Sequence, residues 1–271
     1  MFTINDEFIN SIEKMVTSEK LPQFLYKYYT IPPECTKKED NYTEAVLTKN
    51  SIWCGNAKKF NDPFDCQLKS NASYTKSEII DIINKLDTDD NEKSSFLNLL
   101  DNPDLYPEFV KILCESISKL AADAGITSFT SKPNNLLMWA HYANNHSGFC
   151  LKFDVLKSKK IFTVPIKVKY ETEYPDFKYL GEGGKSELIK FMFQTKSTHW
   201  KYEDEYRVLK AQENEYEFNK EALVEIIFGI NTSDNNIEKY KKILVDNGYT
   251  TKVKFATKSD EKYELIISDS R

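Results

Sequence analysis

The chain has 271 residues, 40% of them apolar and 13% aromatic, enough for one large domain or two small ones with a sizeable core. Lys and Arg number 37 against 42 Asp and Glu, a formal net charge of -5, which argues against a broad nucleic-acid surface but leaves room for a local basic groove. No stretch approaches the ~20 apolar residues of a membrane span, and Met1 to Glu7 is acidic with no apolar signal core, so a cytoplasmic location is expected.

Phe8, Ile9, Ile12, Met15 and Val16 recur at helical spacing and predict a helix over Asp6 to Glu19, leading into a strand at Phe24 to Tyr29. Thr30 to Asn50 reads as a loop and a short helix, Ser51 to Cys54 as a second strand, and Phe60 to Asp65 as a turn. From Lys76 to Ala124 the apolar spacing is helical and predicts an insertion of two or three helices. Gly125 to Ser131 reads as a strand, Asn135 to Tyr142 as a short helix, and Gly148 to Asp154 as a strand in which Phe149, Leu151 and Phe153 alternate with polar or small residues. Thr163 to Tyr170 alternates like a strand, Lys185 to Lys196 is helical, and Glu203 to Lys210 returns to strand. Val224 to Gly229 is an apolar run closing on glycine, Asn235 to Asn247 a helix, and Thr251 to Phe255 and Tyr263 to Ile267 strands. With no repeat, low-complexity tract or linker, the expectation is a single α+β domain over residues 1–271, with a mixed or antiparallel sheet, flanking helices and the helical segment 76–124 inserted. The five cysteines, Cys35, Cys54, Cys66, Cys114 and Cys150, are widely spaced without a CxxC pair; they predict reduced, mostly buried thiols rather than disulfides or a zinc site.

All three histidines fall in or beside two segments, Leu137 to Gly148 and His199 to Arg207, which also hold two of the three tryptophans. Imidazoles exchange protons near neutral pH and indole or phenol rings hold planar ligands, so the clustering points to a built site; the alternative is core packing. On a strand, Glu203, Glu205 and Arg207 share one face, where a carboxylate can act as general base or stabilise a developing cation while Arg207 holds its neighbour or an anion. A solvated face with an ion pair explains the same spacing. Trp139, His141 and Tyr142 group along a helix, and His146 follows it just before Gly148. A metal would need a third ligand, for which His199 is the distant candidate, and no metal is predicted. Asn61-Asp62-Pro63-Phe64-Asp65 fits turn chemistry, with Asp62 or Asp65 as an acid, metal ligand or ribose contact in the functional alternative. There is no phosphate-binding glycine loop, GxSxG or HExxH; Gly181-Glu182-Gly183-Gly184 lies in a polar loop, so nucleotide hydrolysis by familiar routes is not expected.

Leu25-Tyr26-Lys27-Tyr28, Phe60-Asn61-Asp62-Pro63-Phe64, Met138-Trp139-Ala140-His141-Tyr142 with His146 and Gly148, and Trp200 to Arg207 together resemble the bacterial domain-of-unknown-function 2971 family. That resemblance implies an intracellular bacterial protein and supplies no reaction. More distantly, Lys27, Ser128-Phe129-Thr130-Ser131 and Glu203-Asp204-Glu205 occur in the order of the basic, Ser-x-Ser and Glu-x-Glu strands of the ADP-ribosyltransferase fold. It implies NAD as the cofactor: Glu205 stabilising the oxocarbenium-like centre, Lys27 on the phosphates, Ser128 or Thr130 on the nicotinamide ribose, and Trp139 or Tyr142 stacking on a ring. Lys27 stands where that class carries arginine, and the histidines have no place in it.

The expected catalytic set is therefore Glu205, Glu203 and His141. The ligand-binding set is Lys27, Tyr28, Asn61, Asp62, Ser128, Thr130, Trp139, Tyr142, His146 and Arg207. The enzyme reading is ADP-ribosyl transfer or NAD cleavage in a toxin or phage-defence setting, with a protein or nucleic-acid acceptor. The alternative is a non-catalytic sensor or interaction module for a nucleotide-like or anionic small molecule. A third reading makes these residues a buried polar network that fixes the fold.

Overall fold

Alternating and helically spaced apolar residues become elements wherever one side of the chain can be buried. The computed structural model describes residues 6–33, 42–69, 75–85, 89–100, 102–105, 108, 111–112, 115, 124–162, 165–175 and 190–271. In chain order the elements are α1 (Asp6–Thr17), β1 (Phe24–Tyr29), α2 (Tyr42–Thr48), β2 (Ser51–Asn56), α3 (Lys76–Lys85), α4 (Asp90–Leu99), β3 (Gly125–Thr130), α5 (Leu136–Tyr142), β4 (Phe149–Asp154), β5 (Ile166–Lys167), β6 (Lys169–Glu171), β7 (Thr195–Ser197), β8 (Glu205–Lys210), β9 (Asn214–Glu217), β10 (Leu223–Phe228), α6 (Asp234–Asp246), β11 (Lys252–Lys258) and β12 (Leu265–Ser268). Helices and a mostly antiparallel mixed sheet make the fold α+β, as the sequence leads one to expect. No helix among the described residues is long and apolar enough to cross a membrane.

Two compact units share the chain. The first comprises Met1–Gly55, Gly125–Lys167 and Lys201–Arg271, the second Asn56–Ala124 and Val168–Trp200. The first holds the large sheet, ordered β12-β11-β10-β4-β1-β3-β2-β9, with β8 pairing β3 and β5 pairing β8. β10 and β11 are parallel, joined through α6, which Ser233 caps by accepting from the Asn236 amide. β4 lies between β1 and β10, antiparallel to both. Its Phe149, Leu151 and Phe153 join Leu25, Ile226, Phe228 and Tyr240 in the main core. On the opposite face Cys150, Tyr28 and Ile227 are covered by Met138 and Trp139 of α5.

α5 starts at Asn135, whose side chain accepts from the Leu137 and Met138 amides at 2.9 and 3.2 Å. It ends in three successive left-handed residues, Asn144, Asn145 and His146, with φ of 47°, 51° and 68°. They turn the chain back so that Gly148 enters β4 against β1. A Cβ on Gly148 would stand 2.1 Å from the Tyr29 carbonyl oxygen, which explains the glycine.

Three expected elements differ. The strand expected over Thr163 to Tyr170 is broken: Ile166 and Lys167 pair with Arg207 and Tyr206 of β8, whereas Lys169 to Glu171 pair in parallel with β7 in the second unit. The break falls at buried Val168, where the chain passes from one unit to the other; Thr163 and Val164 lie outside the described residues. The helix expected over Lys185 to Lys196 gives way at Thr195 to β7, which finds a partner strand in β6; residues 185–189 lie outside the described set. The strand expected from Glu203 begins only at Glu205, because Asp204 takes a left-handed φ of 45°. β9 carries little signal of its own, since Asn214-Glu215-Tyr216-Glu217 has one apolar residue; its pairing with β2 makes it a strand.

Of the segment expected as a helical insertion, α3 and α4 lie in the second unit, α3 opening on a reciprocal Thr75 and Glu78 capping box. Most of 101–123, Gly181 to Gly184, Cys35 and Cys114 lie outside the described residues. Cys54, Cys66 and Cys150 are buried free thiols.

Gly148→Ala should cost roughly 3 kcal/mol of folding stability, since the added methyl meets backbone that cannot rotate aside. Urea denaturation of the two proteins measures it, and a loss below about 0.5 kcal/mol would show that β1 and β4 separate easily there.

Candidate functional site

β8 and the segment just before it carry charge into the interior of the first unit: Glu203, Glu205 and Arg207 are 3%, 2% and 0% exposed. Arg207 Nε donates to one Glu205 carboxylate oxygen at 2.8 Å and its Nη2 to the other at 3.2 Å, a two-pronged pair between residues two apart on one strand face. Desolvating each ion costs several kcal/mol, so the pair holds only as a unit. Cross-strand register puts Tyr26, Thr130 and Glu205 in one row over β1, β3 and β8, and Ser128, Arg207 and Ile166 in the next.

Glu203 does not share that strand face. It ends the tight helical segment Thr198–Glu203, and the left-handed Asp204 separates it from β8. Asp204 is held by Lys167 and Ser131. Burial pushes its carboxyl up, but these hydrogen bonds outweigh burial and keep it below the usual carboxylate range. Glu203 instead meets α5, accepting from the Tyr142 hydroxyl at 2.5 Å. One residue earlier on each side, His141 Nδ1 and the Tyr202 hydroxyl lie 2.9 Å apart, their rings edge to face at 5.8 Å. Asn135, the cap of α5, also donates to the Tyr202 carbonyl at 2.6 Å, so one amide ties the helix to this segment.

Several expected ligand contacts are committed to the frame. The Tyr28 hydroxyl donates to the Lys132 carbonyl at 2.9 Å, Thr130 Oγ1 accepts from the Lys132 amide, and the Trp139 indole donates to the Pro133 carbonyl at 2.8 Å. Together they pin the connection from β3 to α5. Ser128 offers its carbonyl to Lys27 Nζ at 3.1 Å. Lys27 points to the other sheet face from Thr130 and Glu205, with its ammonium over the Phe129 and Tyr29 rings. It therefore does not join Glu205 in one pocket. His146 stacks on Trp139, its ring 6.4 Å away and nearly parallel.

Asn61 and Asp62 belong to the second unit. Asp62 is buried, one oxygen accepting from the Phe64 amide at 2.9 Å, the turn chemistry read from the sequence. Asp65 pairs with buried Lys196 at 3.7 Å, and that ammonium sits 5.0 Å from the Trp200 ring centre. His199 contacts Ser197. Among the described residues no group of three or more His, Cys, Asp or Glu is placed to hold a metal ion.

The structure adds Tyr202, Asp204, Ser131 and Lys167 to the site. Tyr202 and Asp204 lie inside the motif Trp200 to Arg207, whereas Lys167, distant in sequence, carries no signal of its role.

Residues 138–208 match the family described as Protein of unknown function (DUF2971). The match runs from α5 to β8 and so contains the whole cluster of His141, Tyr142, Tyr202, Glu203, Glu205 and Arg207. It does not extend to Leu25 to Tyr28 or Phe60 to Phe64, and it carries no link to the ADP-ribosyltransferases. No curated protein and no solved structure matches the chain.

Two outcomes follow for the charged residues of the DUF2971 match and of β1. Arg207→Met should cost roughly 3–5 kcal/mol by leaving Glu205 buried without its main partner, and adding Glu205→Leu should restore much of that loss. Chemical denaturation of both singles and the double gives the coupling, and additive losses would mean the pair is not a unit. Burial pushes Lys27 from the usual 10.5 down to about 8, partly offset by Cys54 and Glu205. Across that window the unfolded chain keeps a proton that the folded chain gives up, so stability rises with pH. Relative to Lys27→Met, the wild type should gain roughly 2 kcal/mol between about pH 7.5 and about pH 9.5; a constant difference would refute the shift.

Proposed function

We propose that the first unit binds a small nucleotide-like anion at His141, Tyr142, Tyr202 and Glu203 and acts as a sensor or interaction module. The observation that carries this reading is the pair of contacts between the end of α5 and the segment before β8: His141 with Tyr202, and Tyr142 with Glu203. His141 is exposed. In the tautomer whose Nδ1 accepts from the Tyr202 hydroxyl, Nε2 carries the hydrogen and can donate a hydrogen bond to a phosphate or carboxylate oxygen. Glu203 accepts, and suits a ribose hydroxyl or amino group. The two phenol rings offer faces to a base. Glu205 has both oxygens engaged by Arg207 and supports the site as a fixed wall.

A transfer reaction on NAD is the second reading, favoured by Tyr26, Thr130 and Glu205 forming one row over neighbouring β1, β3 and β8. Two residues do not fit NAD as that resemblance requires: Lys27 faces away from the row, and Glu205 is held by Arg207.

Calorimetric titration of the full chain with NAD, ADP-ribose and AMP tests the first reading. Binding should weaken about tenfold or more in His141→Ala and in Glu203→Gln, with unchanged melting temperature in His141→Ala. Nicotinamide release is followed in parallel with protein and nucleic-acid acceptors. Release by wild type that Glu205→Gln abolishes would replace the sensor by the transferase; no binding of any of the three nucleotides and no release would sink both.

A further inference from the structure

A cavity of about 630 Å³ opens beside His146 in the first unit, within the size range of small-molecule sites. Its walls are Leu136 at the start of α5, His146, Ile230 and Asn231 after β10, and the turn from Lys258 to Leu265 between β11 and β12. It is separate in composition from the cluster at His141, none of whose four residues lines it.

His146 is held there by more than packing. It is the last of three successive left-handed residues, a backbone state that side chains other than glycine resist. Its amide donates to the Trp139 carbonyl at 3.1 Å and its carbonyl accepts from Asn231 at 2.9 Å. Gly229 makes room for it: a Cβ there would stand 2.1 Å from the His146 carbonyl oxygen and 3.0 Å from the Trp139 ring. With the ring stacked on Trp139, Nδ1 is buried and has no hydrogen-bond partner among the described residues. Burial pushes the imidazole below its usual value, so it is neutral at neutral pH. A buried lone pair is tolerated better than a buried N–H, which puts the proton on Nε2.

The rim argues about charge. Lys258 and Lys262 face three carboxylates, Asp260, Glu261 and Glu264, so the turn gives an anion no net attraction. Leu136, Ile230 and Leu265 supply apolar wall. We propose that this cavity takes an uncharged, nucleoside-sized molecule whose carbonyl or ring-nitrogen acceptor receives the His146 Nε2 hydrogen bond, with its apolar surface on these three side chains. The site is independent of the anion site at His141.

Adenosine and AMP are the probes, added to full-length protein labelled with ¹⁵N in histidine, with the His146 ring signals as a local readout. Without ligand, His146 should show the neutral Nε2–H form. Adenosine should shift it saturably, AMP about tenfold more weakly at low salt, and the gap should narrow as salt screens the rim. His146→Asn keeps a residue that tolerates the left-handed backbone and should weaken adenosine binding, read by calorimetry, about tenfold. His141→Ala should leave the His146 response unchanged, which separates this site from the other. An Nδ1–H form, no shift up to millimolar adenosine, AMP binding as well as adenosine, or affinity indifferent to His146→Asn would each overturn the proposal.

Discussion

A guanidinium and a carboxylate taken out of water two residues apart on one strand constrain everything around them. Because Arg207 is wholly buried, its charge has to be met locally, and Glu205 meets it with both oxygens. That requirement keeps both residues in extended strand, where side chains two apart share a face, and β8 accordingly holds them from its first residue, Glu205. It also fixes the partner register, with Thr130 and Ser128 opposite the two charges. The left-handed Asp204 is the joint that lets the preceding segment leave the sheet at that point, and its own carboxylate is held by groups from β5 and from the residue following β3.

The connection from β3 to α5 completes the frame. Lys132 and Pro133 are bonded through their backbone to Tyr28, Thr130 and Trp139, and Asn135 caps the helix while gripping Tyr202. A helix of only two turns could not hold His141 and Tyr142 in place by itself. Capped at one end and packed by Trp139 and Met138 over Tyr28 and Cys150, it positions both side chains against the segment before β8.

Much of this was legible in the residues because burial imposes a period. The alternation in Phe149 to Asp154 marks the strand between β1 and β10, and Asn135 marks the start of α5. The clustering of His, Trp and Tyr with Glu203, Glu205 and Arg207 marks the two segments that meet at the end of α5 and before β8. What could not be read was the phase. A single left-handed residue at Asp204 moves Glu203 off the strand face, and nothing in an aspartate announces that it will take this conformation. Lys27 shows the same limit: its strand is evident in the residues, but which face of it looks toward Glu205 depends on pairing with β3. The short β9 and the split at Val168 depend on partner strands, which local patterns do not encode.

The order of the strands also dictates how the chain can be assembled. β1 is complete early, yet its full-length partner is β4, from Phe149 to Asp154, and much of the second unit is threaded between them in sequence. On a ribosome, β1 therefore emerges long before the strand that covers its backbone groups. Pairings this distant in sequence are slow to form because a large loop must close first. During that interval Leu25 and its neighbours have no finished core to enter, and the nascent chain presents an unpaired strand of the kind that chaperones shield.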